Sequence, residues 1–187
     1  MGRGNKKSED KIIVNGIMNG DEDAFRKMFE IYYPGLCLFA TKYVKNTGYA
    51  RDIVQEVYLK IWDNHSDFEI NSSLKAYLYQ AVRNQSLNYL KKHKRTQNLE
   101  EQYANQFSVQ TDFQTAGRSD ELPVEKLSKK IWECVDLLPE RRKTVFILSR
   151  KHGLTYPEIA EVMGITRKTV ENQMGMALQF LKEKLDF

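Results

Sequence analysis

Thr155-Tyr156-Pro157-Glu158-Ile159-Ala160-Glu161-Val162-Met163-Gly164-Ile165-Thr166-Arg167-Lys168-Thr169-Val170-Glu171-Asn172 is the most legible passage of this 187-residue chain. Thr155 followed three residues later by Glu158 is a capping box, in which the hydroxyl can accept from the Glu158 N–H while the carboxylate reaches back. Ile159, Ala160 and Met163 then face inward, Gly164 permits a sharp turn and Ile165 plugs it. Thr166 can cap a second helix that carries Val170, Met174, Leu178, Leu181 and Leu185 toward the same interior. The spacing predicts a helix-turn-helix from Thr155 to Leu185. Gly175, inside the second helix, costs about 1 kcal/mol against alanine, and a close approach to the neighbouring helix is expected there.

Upstream of this pair, Val124, Leu127, Ile131, Val135 and Leu138 recur at helical spacing from Pro123 until Pro139 stops the pattern. Far toward the N-terminus, Ala24 to Arg95 is nearly unbroken helical pattern, with breaks at Pro34-Gly35, Asn46-Thr47-Gly48 and Asp63 to Ser73 that outline four helices. In one of them Ile53, Val54, Val57, Tyr58, Ile61 and Trp62 form a wide apolar stripe, with Asp52, Gln55, Glu56 and Lys60 on the opposite face. The next, from Leu74 to about Lys92, is expected to bury Leu74, Leu78, Ala81, Val82, Leu87 and Leu90 and to turn Arg83, Asn84, Asn88, Lys91 and Lys92 outward. Between the two helical regions, Thr96 to Leu122 is rich in Gln, Asn, Ser, Thr and carboxylates, the composition of a flexible acidic linker. The chain reads as all-α: a tail and first helix start over 1–22, a helical domain over 23–95, the linker over 96–122, and a helix-turn-helix domain over 123–187.

Composition narrows the function. With 41% apolar residues the chain can bury a core, and 29 Lys+Arg against 25 Asp+Glu leave only +4, so the placement of charge matters more than its sum. The longest charge-free stretch, Ile31 to Thr41, contains Pro34 and is well short of the roughly 20 residues a bilayer span needs. No membrane insertion is expected, no secretory signal is visible, and the expected location is the cytoplasm. Cys37 and Cys134 sit among apolar neighbours and read as small core residues. There is no Gly-rich phosphate loop, no His-Glu-x-x-His and no nucleophile elbow, and His65, His93 and His152 are scattered. The adjacent carboxylates Asp21, Glu22 and Asp23 suit a helix N-terminus rather than a metal. Neither an active site nor a cofactor is expected.

Two places concentrate chemistry suited to nucleic acid. A second helix held steeply by the Gly164-Ile165 turn can enter a major groove about 12 Å wide. On its first two turns stand Thr166, Arg167, Lys168, Glu171 and Asn172, where Arg can bridge guanine acceptors, Asn can pair with adenine and Glu can accept from cytosine. The clusters Arg141-Arg142-Lys143 and Arg150-Lys151-His152 could neutralise flanking phosphates. The other place is Arg83 to Arg95, where Arg83, Lys91, Lys92, Lys94 and Arg95 occur with no carboxylate and with Tyr77, Tyr79 and Tyr89 close by. Cations interleaved with aromatics suit strands whose bases can stack.

These residues together resemble an extracytoplasmic-function (ECF) RNA polymerase sigma factor of the sigma-70 family. The motifs that carry the resemblance are Ala24-Phe25 with Phe29, Tyr32 and Tyr33; Ala50-Arg51-Asp52-Ile53-Val54-Gln55-Glu56-Val57-Tyr58-Leu59-Lys60-Ile61-Trp62; Tyr77-Leu78-Tyr79 leading to Asn84 and Asn88-Tyr89-Leu90; and Leu137-Leu138-Pro139-Glu140-Arg141 with the helix-turn-helix. The resemblance implies that Asp52, Gln55 and Glu56 dock on the β′ clamp coiled coil of core polymerase, with β as a further contact. It implies that the loop His65 to Ser73 and the helix after it capture a base flipped from the −10 element. Phe68 and Tyr77 would be the walls, and Arg83, Asn84, Asn88, Lys91 and Lys92 would hold the strand. The second domain would read the −35 element, and the acidic linker would thread toward the polymerase active centre. An anti-sigma factor is the regulatory partner it implies. A dimeric helix-turn-helix regulator acting without polymerase is the alternative, and the basic, aromatic Tyr77 to Arg95 segment argues against it.

Overall fold

A computed structural model describes residues 3–70, 73–100 and 123–185. Most of the acidic linker, 101–122, lies outside them, as do the side-chain readings made for Lys94, Arg95, Val124 and Leu127. The described residues form eight α-helices with one 3-10 turn, His65–Asp67, and no strand. They fall into two compact units, one within Met1–Thr111 and one within Asp112–Phe187.

The first unit contains α1 (Arg3–Met18), α2 (Glu22–Val44), α3 (Thr47–Asp63) and α4 (Leu74–Glu100). Where a tail and a helix start were expected over 1–22, α1 packs on α2 and buries Ile13 and Ile17, one turn apart. Gly16 faces Ala24 there, so closely that a Cβ on Gly16 would stand 2.5 Å from the Ala24 Cβ. Gly20, at φ 73°, ends α1 with two backbone bonds: Asp21 N–H to the Gly16 carbonyl at 3.0 Å and Gly20 N–H to the Ile17 carbonyl at 2.9 Å. Asp21 then caps α2, its Oδ1 accepting from Asp23 N–H at 2.9 Å and from Ala24 N–H at 3.3 Å.

The break expected at Pro34-Gly35 is absent, because α2 runs unbroken through Pro34. Pro34 cannot donate to the Glu30 carbonyl, but both residues are exposed, so water can take the freed acceptor. Opposite them, Met28, Tyr32, Leu36, Phe39 and Ala40 are buried and hold the helix together. The Asn46 break does occur: Lys45 turns left-handed at φ 55°, and Asn46 caps α3 by accepting from Tyr49 N–H at 3.0 Å. Along α3 the expected stripe is buried except for Trp62, which is half-buried. Of the six apolar residues assigned inward on α4, Leu74, Leu78 and Val82 are buried and Ala81, Leu87 and Leu90 half-buried.

The second unit is α5 (Pro123–Asp136), α6 (Glu140–Arg150), α7 (Tyr156–Met163) and α8 (Arg167–Leu185). Its interior includes Val135, Leu138, Val145, Leu148, Ile159, Val162, Val170 and Met174. Cys134 is buried here and Cys37 half-buried in the first unit, both as free thiols.

Candidate nucleic-acid interface

The turn between α7 and α8 is fixed by hydrogen bonds at each step. The Glu158 carboxylate accepts from both the Thr155 N–H and its hydroxyl, each at 2.7 Å. Gly164 adopts φ 63°, and Ile165 N–H to the Ala160 carbonyl at 3.0 Å with Gly164 N–H to the Glu161 carbonyl at 3.2 Å completes a Schellman closure. Thr166 Oγ1 accepts from Thr169 N–H at 3.2 Å and shares a 2.8 Å bond with the Thr169 hydroxyl, which starts α8. Its side chain is thus occupied by capping. Arg167, Lys168, Glu171 and Asn172 all stand exposed on the first two turns, and Arg167 Nε donates to Glu171 Oε1 at 2.8 Å.

The inward register of α8 differs from the expected one. Val170, Met174, Ala177 and Leu181 are buried, while Leu178 is 43% exposed. At about 100° per residue, Val170, Met174, Ala177 and Leu181 fall within an arc of about 60°, and Leu178 lies about 40° outside it. On α7 the buried pair is Ile159 and Val162, with Ala160 and Met163 half-buried. A Cβ on Gly175 would meet nothing within 4 Å, so the close helix approach expected there does not exist.

The flanking basic clusters are also thinner than their sequence. His152 is buried, Lys143 pairs with Asp136 at 2.7 Å, and Arg142 is half-buried with an Nη2 contact of 3.1 Å to Met176 Sδ. Arg141, Arg150 and Lys151 stay exposed, Lys151 lying 5.8 Å from the centre of the Trp132 ring.

In the first unit, Tyr77, Ala81, Asn84, Asn88 and Lys91 recur at intervals of four, three, four and three, which lines them up along one side of α4. A cavity of about 350 Å³ opens on this side, lined by Phe68, Tyr77, Asn84 and Asn88 together with Lys60 and Gln85. Phe68 is buried and meets the Tyr77 ring edge-on, with centroids 5.3 Å apart. Burial also raises the Tyr77 phenol above its ordinary pKa. Lys91 and Lys92 are exposed farther along the helix. Arg83 does not turn outward as expected: it is half-buried, and its Nε is buried with no hydrogen-bond partner among the described residues.

A third surface is the polar side of α3, where Asp52, Gln55 and Glu56 are all exposed. Two residues to which the sequence reading gave no site role belong to these surfaces. Leu59, 61% exposed, lies in the middle of the Asp52, Gln55, Glu56 face. Lys60 joins that face to the cavity: its ammonium stands 2.9 Å from Glu56 Oε1 and 3.3 Å from Gln85 Oε1, and it holds the Glu56 carboxyl below the usual range. The signal for Lys60 was in the sequence, as a Glu56-to-Lys60 step of four; the one for Leu59 was an apolar residue out of phase with its stripe.

Comparison with known proteins follows the same division. A sigma-70 region 2 model matches residues 28–96 and a sigma-70 region 4 model matches residues 128–181. The ECF RNA polymerase sigma-E factor of Haemophilus influenzae is 26% identical over 180 residues, spanning 94% of this chain and 95% of its own. The ECF RNA polymerase sigma factor SigW of Bacillus subtilis is 25% identical over 92% of this chain and 94% of its own. Among solved structures, the sigma factor RpoE of Bartonella quintana in complex with the anti-sigma factor NepR superposes with a TM-score of 0.62 at 23% identity, covering 87% of this chain and 96% of that one. CnrH in complex with the cytosolic domain of CnrY gives 0.61 at 19% identity, covering 95% and 97%; at these identities the likeness is one of fold. With region 2 on the helices that carry the cavity, region 4 on the helix-turn-helix, and end-to-end alignment with two such factors, this chain belongs to the ECF group of the sigma-70 family.

Proposed function

We propose that the three surfaces divide the work of promoter recognition in this sigma factor, which binds core RNA polymerase and directs promoter-specific initiation of transcription. The α3 face of Asp52, Gln55 and Glu56, centred on Leu59, docks on the β′ clamp coiled coil, and β supplies further contacts. The cavity beside α4 takes a base of the −10 element as the strands part. Unstacking that base costs a few kcal/mol, and Phe68 and Tyr77 offer aromatic surface while Asn84 and Asn88 offer amide donors and acceptors in return. Lys91 and Lys92 bind phosphates of the same strand. The first turns of α8, from Thr166 through Asn172, read the −35 element in the major groove, with Arg141, Arg150 and Lys151 on phosphates.

The observation that carries this reading is the row Tyr77, Ala81, Asn84, Asn88, Lys91, which runs along a cavity walled by the buried Phe68 ring and the half-buried Tyr77 ring that meets it. A dimeric regulator that binds only duplex DNA has no use for such a row. Chemistry belongs to the polymerase, and this chain contributes none. No described helix is long and apolar enough to cross a membrane, and the chain works in the cytoplasm with the polymerase. Both structural neighbours carry a bound partner, the cytosolic domain of CnrY in one and the anti-sigma factor NepR in the other, and we take an anti-sigma protein to be the partner that holds this chain inactive.

The test is run-off transcription with reconstituted holoenzyme. Arg167→Glu should lose −35 discrimination, and Asn84→Ala should keep closed-complex binding while impairing opening. Parent-like transcription by both variants would refute the assignment of surfaces.

A further inference from the structure

Arg167 and Glu171 are the most informative pair on the reading helix, because helix stability accounts for neither placement. Arg167 is the first residue of α8, where unpaired backbone N–H groups give the helix end a partial positive charge that disfavours a cation. A basic residue four positions before an acidic one is the less favourable order for such a pair. Yet the two meet at 2.8 Å with side chains 68% and 43% exposed. An exposed pair of this kind contributes little to folding.

Its consequence for recognition is larger. Arginine carries five N–H donors in a rigid plane. Glu171 Oε1 takes the one on Nε, which leaves the Nη1 and Nη2 groups at the far end as the free pair. Guanine presents two acceptors, O6 and N7, to the major groove, and a parallel pair of donors matches them; adenine replaces O6 with a donor and repels one of the two. Pairing with Glu171 also offsets the charge of Arg167 locally, which weakens its attraction to any phosphate and leaves geometry to decide where it binds.

We propose that Glu171 is a positioning residue that holds Arg167 so that its Nη1 and Nη2 groups read one guanine of the −35 element end-on, and that Glu171 itself reads no base. This rests on α8 being the −35 reading helix.

The experiment measures holoenzyme binding to promoter duplexes in which each −35 base pair is replaced in turn, for the parent, Arg167→Ala, Glu171→Ala and the double variant. The parent should prefer guanine at one position by about 10- to 100-fold, and Arg167→Ala should abolish that preference there. Glu171→Ala should weaken the preference at the same position and steepen the salt dependence of binding. In the Arg167→Ala background, Glu171→Ala should change nothing further at that base pair. If Glu171→Ala alters preference at a different base pair, or acts equally in both backgrounds, Glu171 reads a base of its own and the proposal fails. If the parent discriminates at −35 but neither single variant alters it, the proposal fails while α8 keeps its role through other residues. A parent indifferent to every −35 substitution overturns the role of α8 itself.

Discussion

The Tyr32 hydroxyl, buried in the middle of α2, donates a 2.8 Å hydrogen bond to the Asp10 carboxylate of α1. It is a polar tie between the helix that opens the chain and the core of the first unit, beside the apolar contacts of Ile13 and Ile17. Hydrogen bonds to charged acceptors contribute on the order of 1.5–3 kcal/mol. Tyr32→Phe is therefore expected to lower the midpoint of thermal unfolding of the first unit by at least about 5 °C, as followed by near-ultraviolet circular dichroism. An unchanged midpoint would mean that apolar packing alone holds α1.

Burial, with the hydrogen bond to Asp10 next in importance and the Asp10 charge after it, raises the Tyr32 phenol far above its ordinary value of 10.0. Burial does the same for Tyr58 and Tyr79, and burial with Tyr49 alongside pushes Tyr89 up to about 12. In each case the folded chain keeps a proton that the unfolded chain releases near pH 10. The stability linked to these groups is thus fully present below pH 10 and is lost as pH climbs from there through the raised values. Alkaline titration followed by tyrosinate absorbance should show Tyr32, Tyr58, Tyr79 and Tyr89, among the ten tyrosines, ionising late and together with unfolding. One smooth titration of all ten with the fold intact would contradict the buried placement.

Two glycines should respond in opposite directions to the same substitution. Gly16→Ala puts a methyl group 2.5 Å from the Ala24 Cβ, and neither side can swing away, so a loss of about 1–3 kcal/mol is expected from the forced shift of α1 against α2. Gly175→Ala meets open space in an exposed stretch of α8 and should gain about 1 kcal/mol of helix stability. Denaturant unfolding of both variants checks the contrast, which disappears if α8 packs where Gly175 lies.

Leu59 is a large apolar side chain left in water at the centre of a polar face. Interface hot spots sit at such centres, and truncating one costs about 2 kcal/mol or more. Leu59→Ala should weaken binding to core polymerase roughly 30-fold by the same measure, with unfolding close to that of the parent because Leu59 is mostly exposed in the free protein. Co-elution with core polymerase as tight as the parent's would place the docking centre elsewhere.

Much of the architecture follows from local rules that need no tertiary contact. The Thr155-to-Glu158 capping box, the Gly164 turn and the Thr166 cap are each satisfied by atoms within six residues of one another, so composition at those positions is sufficient. The same is true of Asp21 and Asn46 as caps. The apolar stripe of α3 was legible for a related reason: a helix with one buried side repeats its own geometry in its residues.

What the sequence alone determined is therefore the class of the chain: all helix, two helical regions and a capped helix-turn-helix. Tertiary structure decided how each helix is rotated and which charges remain available, because those depend on neighbours distant along the chain. It made α1 part of the first unit through Gly16 and Ala24 and carried α2 through Pro34 on the strength of its buried side. It set Ala177 rather than Leu178 into the core, and withdrew Arg83, Lys143 and His152 from surfaces that their charge alone would assign to them. The Arg167–Glu171 pair, by contrast, needs only the pitch of α8, which brings side chains four residues apart together, here at 2.8 Å.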